Sequence, residues 1–182
     1  MKLKLTSMTR KAIVYGLLAG IIVSVIMVIS MATSSQEMEG GVGMLIKGYA
    51  GMLICFSMIF AGVRSYRNHE GGGYISFGRA FGLGAIIALI ASVMYVITWM
   101  LYSHFFMADF ADKYAAAMLA KAQAANLDAA KMAAKVKEID DFKAMYQKPV
   151  MVAIMTLMEI LPVGVVMALI SAGVYTKKVG VK

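Results

Sequence analysis

Four stretches of this chain run on with at most one charge each, for longer than a soluble core requires. Ala12 to Gln36 carries none, and neither does Ala80 to Ala108. Met44 to Val63 is interrupted only by Lys47, and Pro149 to Tyr175 only by Glu159. A helix rising about 1.5 Å per residue needs roughly 20 apolar residues to cross a hydrocarbon core about 30 Å thick, and each stretch supplies them. The runs are continuously apolar rather than alternating with period two, which excludes a transmembrane β-barrel. Composition agrees, with 61% hydrophobic and 15% charged residues against roughly 25% charged in an ordinary soluble domain. The expected fold is all-α, an integral membrane four-helix bundle forming one domain over residues 1–182. Its spans are expected at about 12–33, 44–63, 80–104 and 150–175, with a helical insertion at 109–148.

The charges say how the bundle sits. A net charge of +8 invites a nucleic-acid reading. The cations instead collect at the ends of apolar runs, where they orient helices in the bilayer, so no nucleic acid is expected as a partner. Lys2, Lys4, Arg10 and Lys11 precede the first run like the basic start of a secretory signal. A signal's apolar segment is about 7–15 residues, so the longer run reads as an uncleaved anchor helix. Arg64, Arg67 and Arg79 flank the second connection, and Lys177, Lys178 and Lys182 follow the last run. The first connection offers only Lys47 against Glu37 and Glu39. By the positive-inside rule both termini are cytoplasmic. The 109–148 segment, with seven lysines against six acids, then lies outside.

That outer segment is Ala-rich and reads as a helical hairpin, with a first helix near Asp112–Ala125. Asn126 is the expected N-cap of a second helix over Leu127–Gln147, on which Met132, Val136, Ile139, Phe142 and Tyr146 form an apolar stripe. The stripe packs on the protein's own outer mouth or the lipid surface, or docks a periplasmic partner. The glycine-rich turn Asn68–Gly73 has neither a preceding strand nor a following GK[ST], so it reads as a flexible turn rather than a phosphate loop. Small residues spaced four apart (Gly16/Gly20, Gly78/Gly82, Ala88/Ser92, Gly164/Ala168/Ala172) let helices approach closely, within one chain or in a homo-oligomer. Cys55, alone in an apolar run, reads as a small hydrophobe.

Glu159 is the one acid inside a span. Near mid-bilayer an ionised carboxylate costs about 2.5–3.5 kcal/mol on insertion scales, so it is expected as a neutral acid facing the bundle interior. Pro162, three residues on, deprives the Met158 carbonyl of its helical partner. Counting inward along the other spans places Ser24, Ser57, Ser92 and Tyr95 at similar depth, a candidate intramembrane polar site. The chain carries no HExxH and no nucleophile–base signature, and His69 and His104 fall on opposite sides of the membrane. No catalytic residue, cofactor or metal is therefore expected. The expected function is non-enzymatic, acting through protein or lipid contacts: the lipid bilayer itself, a homo-oligomer, or a periplasmic or membrane partner reached through 109–148. The alternative is a small transporter or ion-conducting oligomer using Glu159.

Two segments resemble a known family. They are Gly71-Gly-Gly-Tyr-Ile-Ser-Phe-Gly-Arg-Ala-Phe-Gly-Leu-Gly84 leading into Ala91–Trp99, and Glu159-Ile-Leu-Pro-Val-Gly164 followed by Leu169–Ala172 and a Lys-Lys end. Both resemble the bacterial membrane proteins grouped as the domain of unknown function 4199. The resemblance covers nearly the whole chain. It implies a four-helix protein of the bacterial inner membrane and supplies no functional residues to transfer.

Overall fold

The computed structural model describes residues 6–33 and 42–176. Six helices follow one another: α1 (Ser7–Thr33), α2 (Val42–His69), α3 (Phe77–Phe106), α4 (Phe110–Ala124), α5 (Ala129–Tyr146) and α6 (Pro149–Tyr175). Among the described residues there is no strand. Ser7–Thr33, Gly48–His69, Phe77–Phe106 and Pro149–Tyr175 are long and apolar enough to cross a membrane. The helices overrun the expected spans into their basic flanks, because Arg and Lys are good helix formers and their long stems reach the headgroups. Lys2, Lys4, Glu37, Glu39, Lys177, Lys178 and Lys182, and the side chain of Lys47, lie outside the described residues.

Residue pairings give the directions. Gly16 lies against Ile90 and Gly20 against Met94, and Ser24 Oγ is 2.9 Å from Thr98 Oγ1. Both helices advance by four at each rung, so α1 and α3 run parallel. Gly84 meets Ala168 and Gly164 meets Ala88, so α6 runs antiparallel to α3. Gly62 meets Tyr15 and Gly51 meets Ile26, so α2 runs antiparallel to α1. The result is an up-down-up-down bundle in which α1 and α6 each pack on α2 and α3. Without a hydrophobic force between helices in lipid, these small-residue contacts and interhelical hydrogen bonds set the arrangement. Phe56, Ile59, Leu83, Ile87 and Ile160 fill the centre, fully buried.

At one end, a closed turn joins α2 to α3. The Glu70 and Gly71 amides donate to Tyr66 O, and Arg67 Nε donates to Gly73 O at 2.9 Å. Gly72 (φ 59°) and Gly73 (φ 85°) occupy the left-handed region that suits glycine. The turn expected to be flexible is thus hydrogen-bonded shut, with Ile75 tucked beneath it in the core. His69 and Glu70 are both exposed, and the His69 Nδ1 lies 2.9 Å from Ser65 O.

At the other end, α4 and α5 form the expected hairpin. Its cap differs from expectation: Asp128, not Asn126, caps α5, accepting from the Lys131 amide at 2.8 Å. Asn126 (φ 47°) instead takes the left-handed position just past α4, a place for which Asn is second only to Gly. Part of the α5 stripe packs within the chain: Ile139 is buried, and the Phe142 and Tyr146 rings lie tilted against Tyr114 and Phe110 of α4, while Val136 is exposed.

Candidate functional site

Two regions hold the polar chemistry of the bundle. The first contains the intramembrane residues expected to cluster. Ser24 and Thr98 share a hydrogen bond across α1 and α3, and Thr98 also donates to Met94 O at 2.9 Å. Three residues before Thr98, Tyr95 is half-buried and packs against both the central core and a smaller cluster of Met27, Trp99 and Val152. The Glu159 carboxylate lies within electrostatic range of the Tyr95 and Tyr146 hydroxyls. Ser92 is fully buried and its hydroxyl has no partner among the described residues; Ser171 is in the same position.

Two of the expected members face elsewhere. Ser57 is exposed and donates to Ile54 O at 2.6 Å, because Cys55, Phe56 and Ile59 take the inward face of α2. Glu159 is also exposed, not interior. The close contacts of Gly164 and Ala168 with α3 set the rotation of α6, and that rotation turns Thr156 and Ile160 inward. Glu159 sits roughly 100° round the helix from Ile160. Among the described residues it makes no hydrogen bond or ion pair, so it does not cap the carbonyl freed by Pro162.

The second region is the hairpin end of the bundle, where α3 meets the α4–α5 hairpin. Trp99 Nε1 donates to the Tyr146 hydroxyl at 2.8 Å, tying the hairpin to α3. Phe110 sets its ring edge-on to Trp99 at 5.0 Å. Burial holds the Tyr146 phenol above its ordinary range, with the Trp99 N–H opposing that shift. Tyr146 therefore stays protonated and keeps a proton to donate while accepting from Trp99. Beside it, a cavity of about 510 Å³ is bounded by Ser103 and His104 of α3, by Met107 just past it, and by Gln147 and Pro149. On the lipid side, a wholly apolar groove of about 340 Å³ continues from it between α3 and α6. A sequence signal for this region is Tyr146 at the end of the α5 stripe, an amphipathic ring like that of Trp99 in the last third of α3.

Four acids and four lysines pair on the hairpin surface, including Lys143 with Asp112 at 2.7 Å across α4 and α5. That contact, chiefly the Asp112 hydrogen bond, raises the Lys143 pKa above its ordinary value. Among the described residues no group of three or more His, Cys, Asp or Glu could hold a metal. Cys55 is buried, its thiol donating to Met52 O at 3.1 Å.

The family described as protein of unknown function (DUF4199) matches residues 14–177, and the chain belongs to it. No curated protein matches the chain, and no solved structure does.

Proposed function

We propose that this member of the family is a small, non-enzymatic protein of the bacterial inner membrane that docks another transmembrane helix on the Glu159 flank of α6. One observation carries the reading: Glu159 is exposed and is the one charged residue from Pro149 to Tyr175, and among the described residues it has no hydrogen-bond or ion-pair partner. A carboxyl presented to hydrocarbon is costly even as the neutral acid, and intramembrane polar groups pair with one another across helices. A partner helix bringing a hydroxyl, amide or basic group relieves that cost. Val166 and Ile170 continue the same flank and are exposed too. Both termini face the cytoplasm and the α4–α5 hairpin lies outside. Arg10, Lys11, Arg64, Arg67 and Arg79 all fall at the end of the bundle opposite the hairpin, in accord with the positive-inside rule.

The test is photocrosslinking from position 166 in native membranes, combined with affinity purification in mild detergent. Wild type is expected to yield a stoichiometric crosslinked partner or self-oligomer. Glu159→Gln retains it, since an amide also hydrogen-bonds, and Glu159→Leu loses it. Recovery of monomer alone, crosslinked only to lipid, overturns the proposal. A function lost in Glu159→Gln while the complex survives assigns the carboxyl to proton-coupled transport instead. Orientation is checked separately in a Cys55→Ser background: an external thiol reagent should label Lys121→Cys and not Arg67→Cys.

A further inference from the structure

We propose that the helix docked on the Glu159 flank is α6 of a second copy of this chain, so that two Glu159 carboxyls meet across a two-fold axis normal to the membrane. The inference rests on the reading of that flank as a helix-docking face, and it names the occupant. Among the described residues Glu159 has no hydrogen-bond or ion-pair partner. A group that relieves it must arrive at its own depth in the hydrocarbon.

A neutral carboxyl is self-complementary, because its O–H donates while its carbonyl oxygen accepts. A second carboxyl facing it satisfies both sides and brings no charge into the bilayer. Every copy carries the same basic flanks, so all copies insert with one orientation. Two α6 helices in contact then run parallel, and a two-fold axis between them sets residue 159 opposite residue 159. Symmetry thus matches the depth, which an unrelated helix must match by a polar group at one particular position. The exposed hydroxyl of α2 does not compete. Phe56 lies against Gly164, which puts Ser57 about six residues, roughly 9 Å, along the axis from the level of Glu159. Ser57 is also already bonded to Ile54 O. A head-to-tail contact between α6 of one copy and α2 of the next therefore leaves the carboxyl unpaired.

The surface around Glu159 suits a parallel pair. Glu159, Pro162, Val166 and Leu169 are all exposed. They recur at steps of three and four, the spacing by which two parallel helices keep one seam in contact. At 3.6 residues per turn this seam lies opposite Ile160, Gly164 and Ala168, which α6 buries against its own bundle. Pairing along it leaves the intramolecular packing untouched. A single polar residue on such a seam also fixes the register of the two helices.

In the experiment, full-length chains bearing two different affinity tags are coexpressed in a Cys55→Ser background, and the membranes are oxidised before purification. Val166→Cys and Leu169→Cys are expected to form disulfides between the two tagged copies. Ile154→Cys, on the α3 side of α6, is expected not to. With Val166→Cys as reporter, Glu159→Gln should retain the crosslink, since an amide also donates and accepts, and Glu159→Leu should lower it several-fold. Glu159→Lys in both copies should lower it likewise. Glu159→Lys in one copy opposite Glu159 in the other should restore it, because the two side chains then form an ion pair. Trp99 emission verifies that each variant is folded. Equal yields at 154 and 166, or a mixed Lys–Glu pair no better than Lys–Lys, overturn the second copy as occupant. A photocrosslinker at position 166 that captures a different protein, with no disulfide between copies, overturns this identification while the docking face stands. Capture of lipid alone overturns both.

Discussion

Gly164 is the residue on which the close packing of α3 and α6 most directly rests. A methyl group added there would lie 2.8 Å from the Ala88 Cβ and 2.8 Å from the Phe56 Cζ. Ala88 cannot retreat without moving its backbone, and Phe56 is fully buried, so its ring has nowhere to swing. Overpacking of this kind costs about 1–3 kcal/mol. Gly→Ala within a helix returns about 0.5–1 kcal/mol by propensity alone. Gly173 on the same helix provides the internal control, because a methyl there meets nothing within 4 Å. Gly173→Ala should be neutral or stabilising, Gly164→Ala destabilising. Their difference isolates the steric term at about 1–3 kcal/mol, roughly 5- to 150-fold in the unfolding equilibrium. Denaturing-detergent titration of the purified chain, followed by emission of its one tryptophan, measures both variants. Ala88→Gly combined with Gly164→Ala should recover part of the loss, since it removes one of the two clashes. Equal stabilities for Gly164→Ala and Gly173→Ala would refute the packing argument.

Other expectations follow from the same geometry. Ser92→Ala removes a buried hydroxyl that has no partner and should stabilise the chain by up to about 1 kcal/mol. Ser24→Ala breaks a bond to Thr98 and should cost about 0.6 kcal/mol, the average for such bonds in membranes; denaturing-detergent titration separates the two signs. Tyr146→Phe strands the buried Trp99 N–H and should cost about 1–3 kcal/mol, with a shift in Trp99 emission; an unchanged spectrum and midpoint would show the bond to be immaterial. Asp128 is held below its ordinary pKa, chiefly by the Lys131 side chain and then by the Lys131 amide. Its stabilisation of α5 is therefore complete above the ordinary carboxylate range and lost as pH falls through it, below about pH 4. Amide exchange at the start of α5, corrected for intrinsic rate, should accelerate there in wild type and stay flat in Asp128→Asn.

The helices were legible because their cause is one-dimensional. A charge-free run long enough to cross hydrocarbon must satisfy its backbone internally, and a helix does so from residues near in sequence. The hairpin followed from its Ala content and the five-residue stripe of α5, although the cap moved two residues. Asn126 and Asp128 are both good capping residues. The choice fell to Asp128 because the chain leaves α4 through a left-handed residue, a position Asn tolerates better. The cavity at Gln147–Pro149 was not legible, since it depends on the distance between the end of α3 and the start of α6.

Glu159 shows why the facing of a membrane helix is harder to read than its existence. In a soluble helix the inside is apolar and the outside polar, and the period of that contrast gives the rotation. In α6 both sides are apolar, so depth could be counted along the axis while the rotation about it had no such signal. A single-residue difference then amounts to roughly 100°. The information was present in another form. Small residues mark where helices approach in lipid, and Gly164, Ala168 and Ala172 recur every four residues. Continued backward at the same step, that series reaches Ile160, Thr156 and Val152, which together with those three are the residues α6 buries, apart from Ser171. Glu159 lies outside the series. On this reasoning an acid off the small-residue ladder of a membrane helix faces outward and calls for a partner, whereas an acid on the ladder would face its own bundle.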